Sequence, residues 1–111
     1  MSLNNTSDLA FTSALTQAKL IKERQVTPLE LTEMYLDRIA KYDSQVGSFN
    51  YVARESAIAE AKSKSAQLEQ TLDTSHLPPF FGVPIAIKDL KSVAGMPISY
   101  GISTLKEQIA T

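Results

Sequence analysis

Phe80–Gly101, FFGVPIAIKDLKSVAGMPISYG, is the stretch that decides how this chain folds. It holds a short apolar run, Val83-Pro84-Ile85-Ala86-Ile87, that stops at a charged pair, Lys88-Asp89, and then breaks into chain punctuated by glycine and proline. Strand alternation puts Val83, Ile85 and Ile87 on one face and Pro84, Ala86 and Lys88 on the other. Lys88 thus follows two residues of small footprint on a face that reads as buried. Removing a lysine from water disfavours its charged form, which suits such a position to a proton acceptor. Two features pull the other way. A Lys-Asp pair at a strand end is commonly where the strand meets solvent. Pro84 cannot donate to a ladder and belongs at an edge, a bulge or a first position.

Upstream of this stretch the periodicity is helical. Phe11, Ala14, Leu15, Ala18 and Ile21 recur at three- and four-residue steps and predict one helix from Asp8 to Arg24, with Ser7 or Asp8 as its cap and Lys19, Lys22 and Arg24 near its negative end. Thr27-Pro28-Leu29-Glu30 is a capping box with proline at the first helical position, and Val26 and Leu31 are spaced as a hydrophobic staple. The stripe Leu31, Met34, Tyr35, Arg38, Ile39 and Tyr42 continues that helix to Gly47. Its aromatic residues and methionine read as core packing, and Asp37 can pair with Lys41.

Ser48–Val52 has the composition of a short strand or extended connection, with Phe49 and Tyr51 on the same side. A third helix is predicted over Glu55–Leu72, with Ala57, Ile58, Ala61, Ser65, Leu68 and Leu72 inward and a Glu60–Lys64 pair outward. Asp73–Pro79 is a loop by composition and carries the one histidine, His76, which reads as a solvated loop residue rather than a ligand or base. Thr104–Glu107 offers another capping box. A single lysine-bearing strand with at most one other short strand leaves its ladder groups unmatched, so the fold looks unfinished.

Composition narrows the function. The 111 residues carry 11 basic and 12 acidic side chains for a net charge of −1, and the charges are interspersed. No basic face exists to recruit nucleic acid or an anionic membrane. Cysteine is absent, which excludes thiolate nucleophiles, disulfides and cysteine-held zinc, and fits a reducing cytoplasm. The first residues, MSLNNTSDLAF, lack the basic and apolar regions of a secretory signal. A cytoplasmic, soluble protein is the expectation.

GVPIAIKD at 82–89 followed by VAGMPISYG at 93–101 resembles the amidase signature family. Its members carry Gly, a β-branched aliphatic, Pro, two further positions and an aliphatic before Lys-Asp, then a Val-x-Gly-x-Pro segment. The likeness runs from about Ser7 to Thr111. It implies an α/β fold: a large α/β/α architecture with a mixed central sheet, of which residues 1–111 are the N-terminal part. Residues 7–72 would form its helical region, and 80–101 the lysine-bearing strand and signature loop.

The same resemblance puts Lys88 on the catalytic lysine of a Ser–cis-Ser–Lys triad that hydrolyses amides, with no metal or organic cofactor. Both serines would belong to a Gly/Ser-rich segment absent from this sequence. Ser92, Ser99 and Ser103 lie in the irregular segment rather than the nucleophile motif. The implied function is an N-terminal fragment of an amidase that cleaves a carboxylic acid amide, inactive on its own, with a small-molecule amide as the partner of the complete enzyme. Self-association of the fragment is expected from its apolar surface. The alternatives are a glutamyl-tRNA(Gln) amidotransferase A-type subunit, disfavoured by Leu90 after the Lys-Asp pair, and a non-catalytic interaction module.

Overall fold

The computed structural model describes residues 6–49, 51–88, 91, 93–97 and 109. Four helices lie in order along them: α1 (Thr6–Ala10), α2 (Ala14–Lys22), α3 (Pro28–Val46) and α4 (Arg54–Gln70), with a 3₁₀ turn at Thr74–His76. α3 and α4 pack on each other. The Leu29 amide at one end of α3 donates to Ser65 Oγ late in α4 at 3.1 Å, while Asp37 lies 3.9 Å from Arg54 at the start of α4, so the two run antiparallel. Leu9, Leu20, Ile21, Val26, Leu31, Leu68 and Phe81 close the core.

The single helix expected over Asp8–Arg24 is two. Thr12 Oγ1 donates back to the Asp8 carbonyl at 2.8 Å, and Ser13, extended at φ −61° and ψ 152°, accepts the Thr16 amide on its hydroxyl at 3.2 Å. These local side-chain bonds compete with the helical ladder and restart it. The break rotates the inward face. Phe11 and Leu15, expected inside, are 79% and 68% exposed, and Leu9 and Leu20 take their place. Buried Gln17 then joins the two helices to α3: its Nε2 donates to the Leu9 carbonyl at 3.1 Å and to the Tyr35 hydroxyl at 2.7 Å, and that hydroxyl donates to the Ala10 carbonyl at 2.8 Å.

α3 begins as its sequence predicts. Thr27 accepts the Glu30 amide at 3.0 Å, Pro28 stands at the first helical position, and Val26 and Leu31 are both buried. Gly47 ends it in the left-handed region at φ 69°. Tyr35 and Met34 pack against the core, whereas Tyr42 is exposed, with the Arg38 guanidinium 5.3 Å from its ring centre. Asp37 faces Arg54 rather than Lys41, and Lys64 lies over the Phe81 ring at 5.3 Å rather than against Glu60. α4 stops at Gln70, so Leu72, expected on its inner face, is fully exposed.

The α/β expectation is corrected in one respect: among the described residues there is no strand. Val83–Lys88 and Ser48–Phe49 with Tyr51–Val52 pair with nothing described, and the one bridge among the described residues joins Pro97 to Ile109, antiparallel. A strand exists only through a partner, and no described segment supplies one. For the same reason the segment is uncovered from Ile85 onward. Ile85 is 84% exposed, Ile87 56%, and Lys88 is exposed as well, against the burial expected of it. The capping box at Thr104–Glu107 lies outside the described residues.

Candidate functional site

Lys88 is reached through a turn fixed at both ends. The Phe81 amide donates to the Pro78 carbonyl and the Val83 amide to the Phe80 carbonyl, each at 3.1 Å. Between them Phe81 enters the core while Phe80 stays outside. Gly82 holds φ +80°, and a Cβ built there would stand 2.6 Å from Pro28 Cγ and 3.3 Å from Ile21 Cδ1. Only glycine satisfies both the backbone and the space. The chain then runs, without helix or ladder, from Val83, packed against the core, to Lys88.

Lys88 borders an open depression of about 480 Å³. One wall is the α3–α4 connection, through Ser48, Phe49 and Tyr51; the other is Ala86, Ile87 and Lys88. Lys91, Val93, Met96 and Pro97 close its end. Asp43 at the end of α3 sets the first wall, its Oδ1 accepting the Ser48 amide at 2.8 Å and the Phe49 amide at 3.1 Å. The end is shaped by a turn in which the Met96 amide donates to the Val93 carbonyl at 3.0 Å and Gly95 sits at φ +80°, as a type II turn requires at its third position.

Two lysines and no carboxylate stand among the described lining residues, so the depression favours groups of negative or developing negative charge. Ser48 and Lys91 are members that the sequence alone did not single out. The shared side of Phe49 and Tyr51 was the one signal that the α3–α4 connection faces a common surface. Ser92, Ser99 and Ser103 lie outside the described residues.

His76 does not belong to this region. It is exposed on the 3₁₀ turn, its Nε2 3.3 Å from Asp73 Oδ2, as a loop residue should be. Among the described residues no group of three or more His, Cys, Asp or Glu could hold a metal ion, and no helix is long and apolar enough to cross a membrane.

Comparison with known proteins agrees with the motif at 82–89. A family model described as Amidase matches residues 30–111. A protein of Synechocystis sp. that bears the provisional name of an amidase is 58% identical over 105 residues, covering 95% of this chain and 21% of that protein. One from Mycobacterium tuberculosis, provisionally named amidase AmiB2, is 39% identical over 86% of this chain and 20% of its own length. The A-type subunit of the glutamyl-tRNA(Gln) amidotransferase of Acidothermus cellulolyticus is 37% identical over 90% of this chain and 19% of its own length. The chain spans about a fifth of the length of these curated relatives. With the matched span covering most of its residues, the chain belongs to the amidase family.

Proposed function

We propose that this chain is the N-terminal part of a single amidase domain that hydrolyses a carboxylic acid amide to the acid and ammonia or an amine, with Lys88 as its base. The supporting observation is the coincidence of family and place: the Lys-Asp motif of an amidase-family chain puts its lysine on the rim of a depression walled by a second segment. The reaction requires Lys88 to start as a free amine. It takes a proton from a bridging serine, which takes that of the nucleophilic serine. The nucleophile's oxygen bonds the amide carbon. The proton returns to nitrogen as the C–N bond breaks, and water then cleaves the acyl ester. The serines, the oxyanion donors and the layers that exclude water from Lys88 come from chain outside these residues, so the 111-residue chain alone is inactive.

Exposed Ile85 and Ile87 support self-association of the isolated chain. The higher identity to the amidase-named protein than to the amidotransferase relative favours general amide hydrolysis over a role in tRNA amidation. The test uses the full-length protein, with ammonia release from propionamide, benzamide and glutamine, and labelling by a fluorophosphonate that reports an activated serine whatever the amide. Lys88→Ala should slow both on the order of 10²–10⁴-fold with an unchanged melting curve, whereas His76→Ala, away from the depression, should leave both unchanged. A wild-type protein that neither releases ammonia nor labels would reject the proposed activity; labelling that survives Lys88→Ala would reject the lysine.

A further inference from the structure

We infer that Gly82 is a positioning residue for Lys88: its closeness to Pro28 at the start of α3 sets where the lysine-bearing segment leaves the helical layer. The inference rests on the assignment of Lys88 as the base. Three observations meet at this point. Gly82 combines φ +80° with a Cβ site 2.6 Å from Pro28 Cγ and 3.1 Å from Pro28 Cβ, so any side chain there must displace something. What it meets cannot yield, because Pro28 and Ile21 are among the most deeply buried side chains and Pro28 is a rigid ring locked into the first turn of α3.

The neighbour of Gly82 is equally fixed. Phe81 is buried in the core, and the turn is closed by the Phe81 and Val83 amides. Between this turn and Lys88 the described chain forms neither helix nor ladder. With no helix or pairing of its own to hold it, that segment takes its position from its root, so a displacement of the turn is carried toward Lys88. An added methyl at 82 that pushes the turn off Pro28 therefore moves the amine. A shift near 1 Å in a reacting group can cost about 10²-fold in rate.

The same contact explains why the α3 capping box and the lysine motif, far apart in sequence, belong to one device. Thr27 and Glu30 fix the first turn of α3, that turn presents Pro28, and Pro28 fixes Gly82.

The test measures Gly82→Ala, Pro28→Ala, the double variant and Lys88→Ala in the full-length protein, by turnover of whichever amide the wild type hydrolyses and by fluorophosphonate labelling rate. Gly82→Ala should lower kcat and labelling about 10- to 100-fold with KM within about twofold. Removing the opposing ring in the double variant should restore several-fold of that loss, where two independent destabilising changes would compound. Should Gly82→Ala prove insoluble, recovery of soluble, labelling-competent protein in the double variant is the expected result. Wild-type kcat in Gly82→Ala, or a double variant no better than the single, overturns the positioning role while an inactive Lys88→Ala leaves the base in place. An active Lys88→Ala removes the base itself and the inference with it.

Discussion

Arg24 shows how much one residue can hold. It is the one non-glycine residue with positive φ among those described, at 61°, and it closes α2 with the Gln25 amide on the Leu20 carbonyl and its own amide on the Ile21 carbonyl, each at 2.9 Å. That is a Schellman arrangement with arginine where glycine is usual. The side chain gives the reason: Nη1 donates to the Leu68 carbonyl at 2.6 Å and Nη2 to the Thr71 carbonyl, so Arg24 caps α4 rather than supporting the end of its own helix. Arg24→Ala should cost about 1–2 kcal/mol in urea unfolding, the low end for charged hydrogen bonds at an exposed residue. Arg24→Gly loses the same bonds but relieves the left-handed backbone, so it should be the more stable of the two by about 1 kcal/mol. The opposite order would mean that the backbone at 24 is not held where the bonds require.

Asp73 offers a pH-dependent counterpart. Its carboxylate accepts the Ser75 hydroxyl at 2.6 Å and the Ser75 amide at 3.0 Å, and these bonds, the hydroxyl's first, hold its pKa below the ordinary carboxylate value. Because the folded value is depressed, whatever the turn gains from Asp73 is present above the unfolded value and lost as pH falls through the folded one. An NMR titration of Ser75→Ala should move the Asp73 midpoint upward, toward the ordinary carboxylate value. An unmoved midpoint would assign the depression to something other than the hydroxyl.

At the level of elements, α3 was legible from sequence and α1–α2 was not, for a physical reason. α3 carries its start and stop in residues that act locally: Thr27 and Pro28 at one end, Gly47 at the other. Thr27→Ala should therefore lower stability by about 1 kcal/mol, read as a shift in urea midpoint at unchanged slope. The capping box itself closes in a modified form. The Thr27 hydroxyl lies 3.1 Å from Glu30 Oε1, so the carboxylate meets the capping hydroxyl, and Glu30→Gln should cost less than the threonine change.

Over residues 8–24 the apolar spacing was helical throughout, and only the bonds of Thr12 and Ser13 reveal the break. Those residues were visible, but their choice between helix and local bond is settled by Gln17 and Tyr35, which are brought together across 18 positions. Tyr35→Phe removes the hydroxyl that holds α1 to α3 and should increase amide exchange in α1 ahead of the rest of the core. Uniform exchange across the helices would show that α1 is held by Leu9 alone.

For the molecule as a whole, the helical layer was predicted in outline while the sheet was predicted without its partners. Val83–Lys88 has strand composition, yet strand pairing and two-sided burial are properties of neighbouring layers that a local pattern cannot supply. What remains is a helical layer bearing a lysine segment whose isoleucines face water. This has opposite consequences in two contexts. In the isolated 111-residue chain, Ile85 and Ile87 add apolar area to the surface, so the chain should associate in sedimentation experiments at tens of micromolar, and Ile85→Lys with Ile87→Lys should shift it toward monomer. In the full-length protein, if further layers cover the same residues, the same pair of substitutions would bury two ammonium groups and should unfold or strongly destabilise the domain. Solubilising in one context and destabilising in the other is the signature of a face made to be covered. A pair of lysines tolerated in both would show that the segment meets solvent throughout.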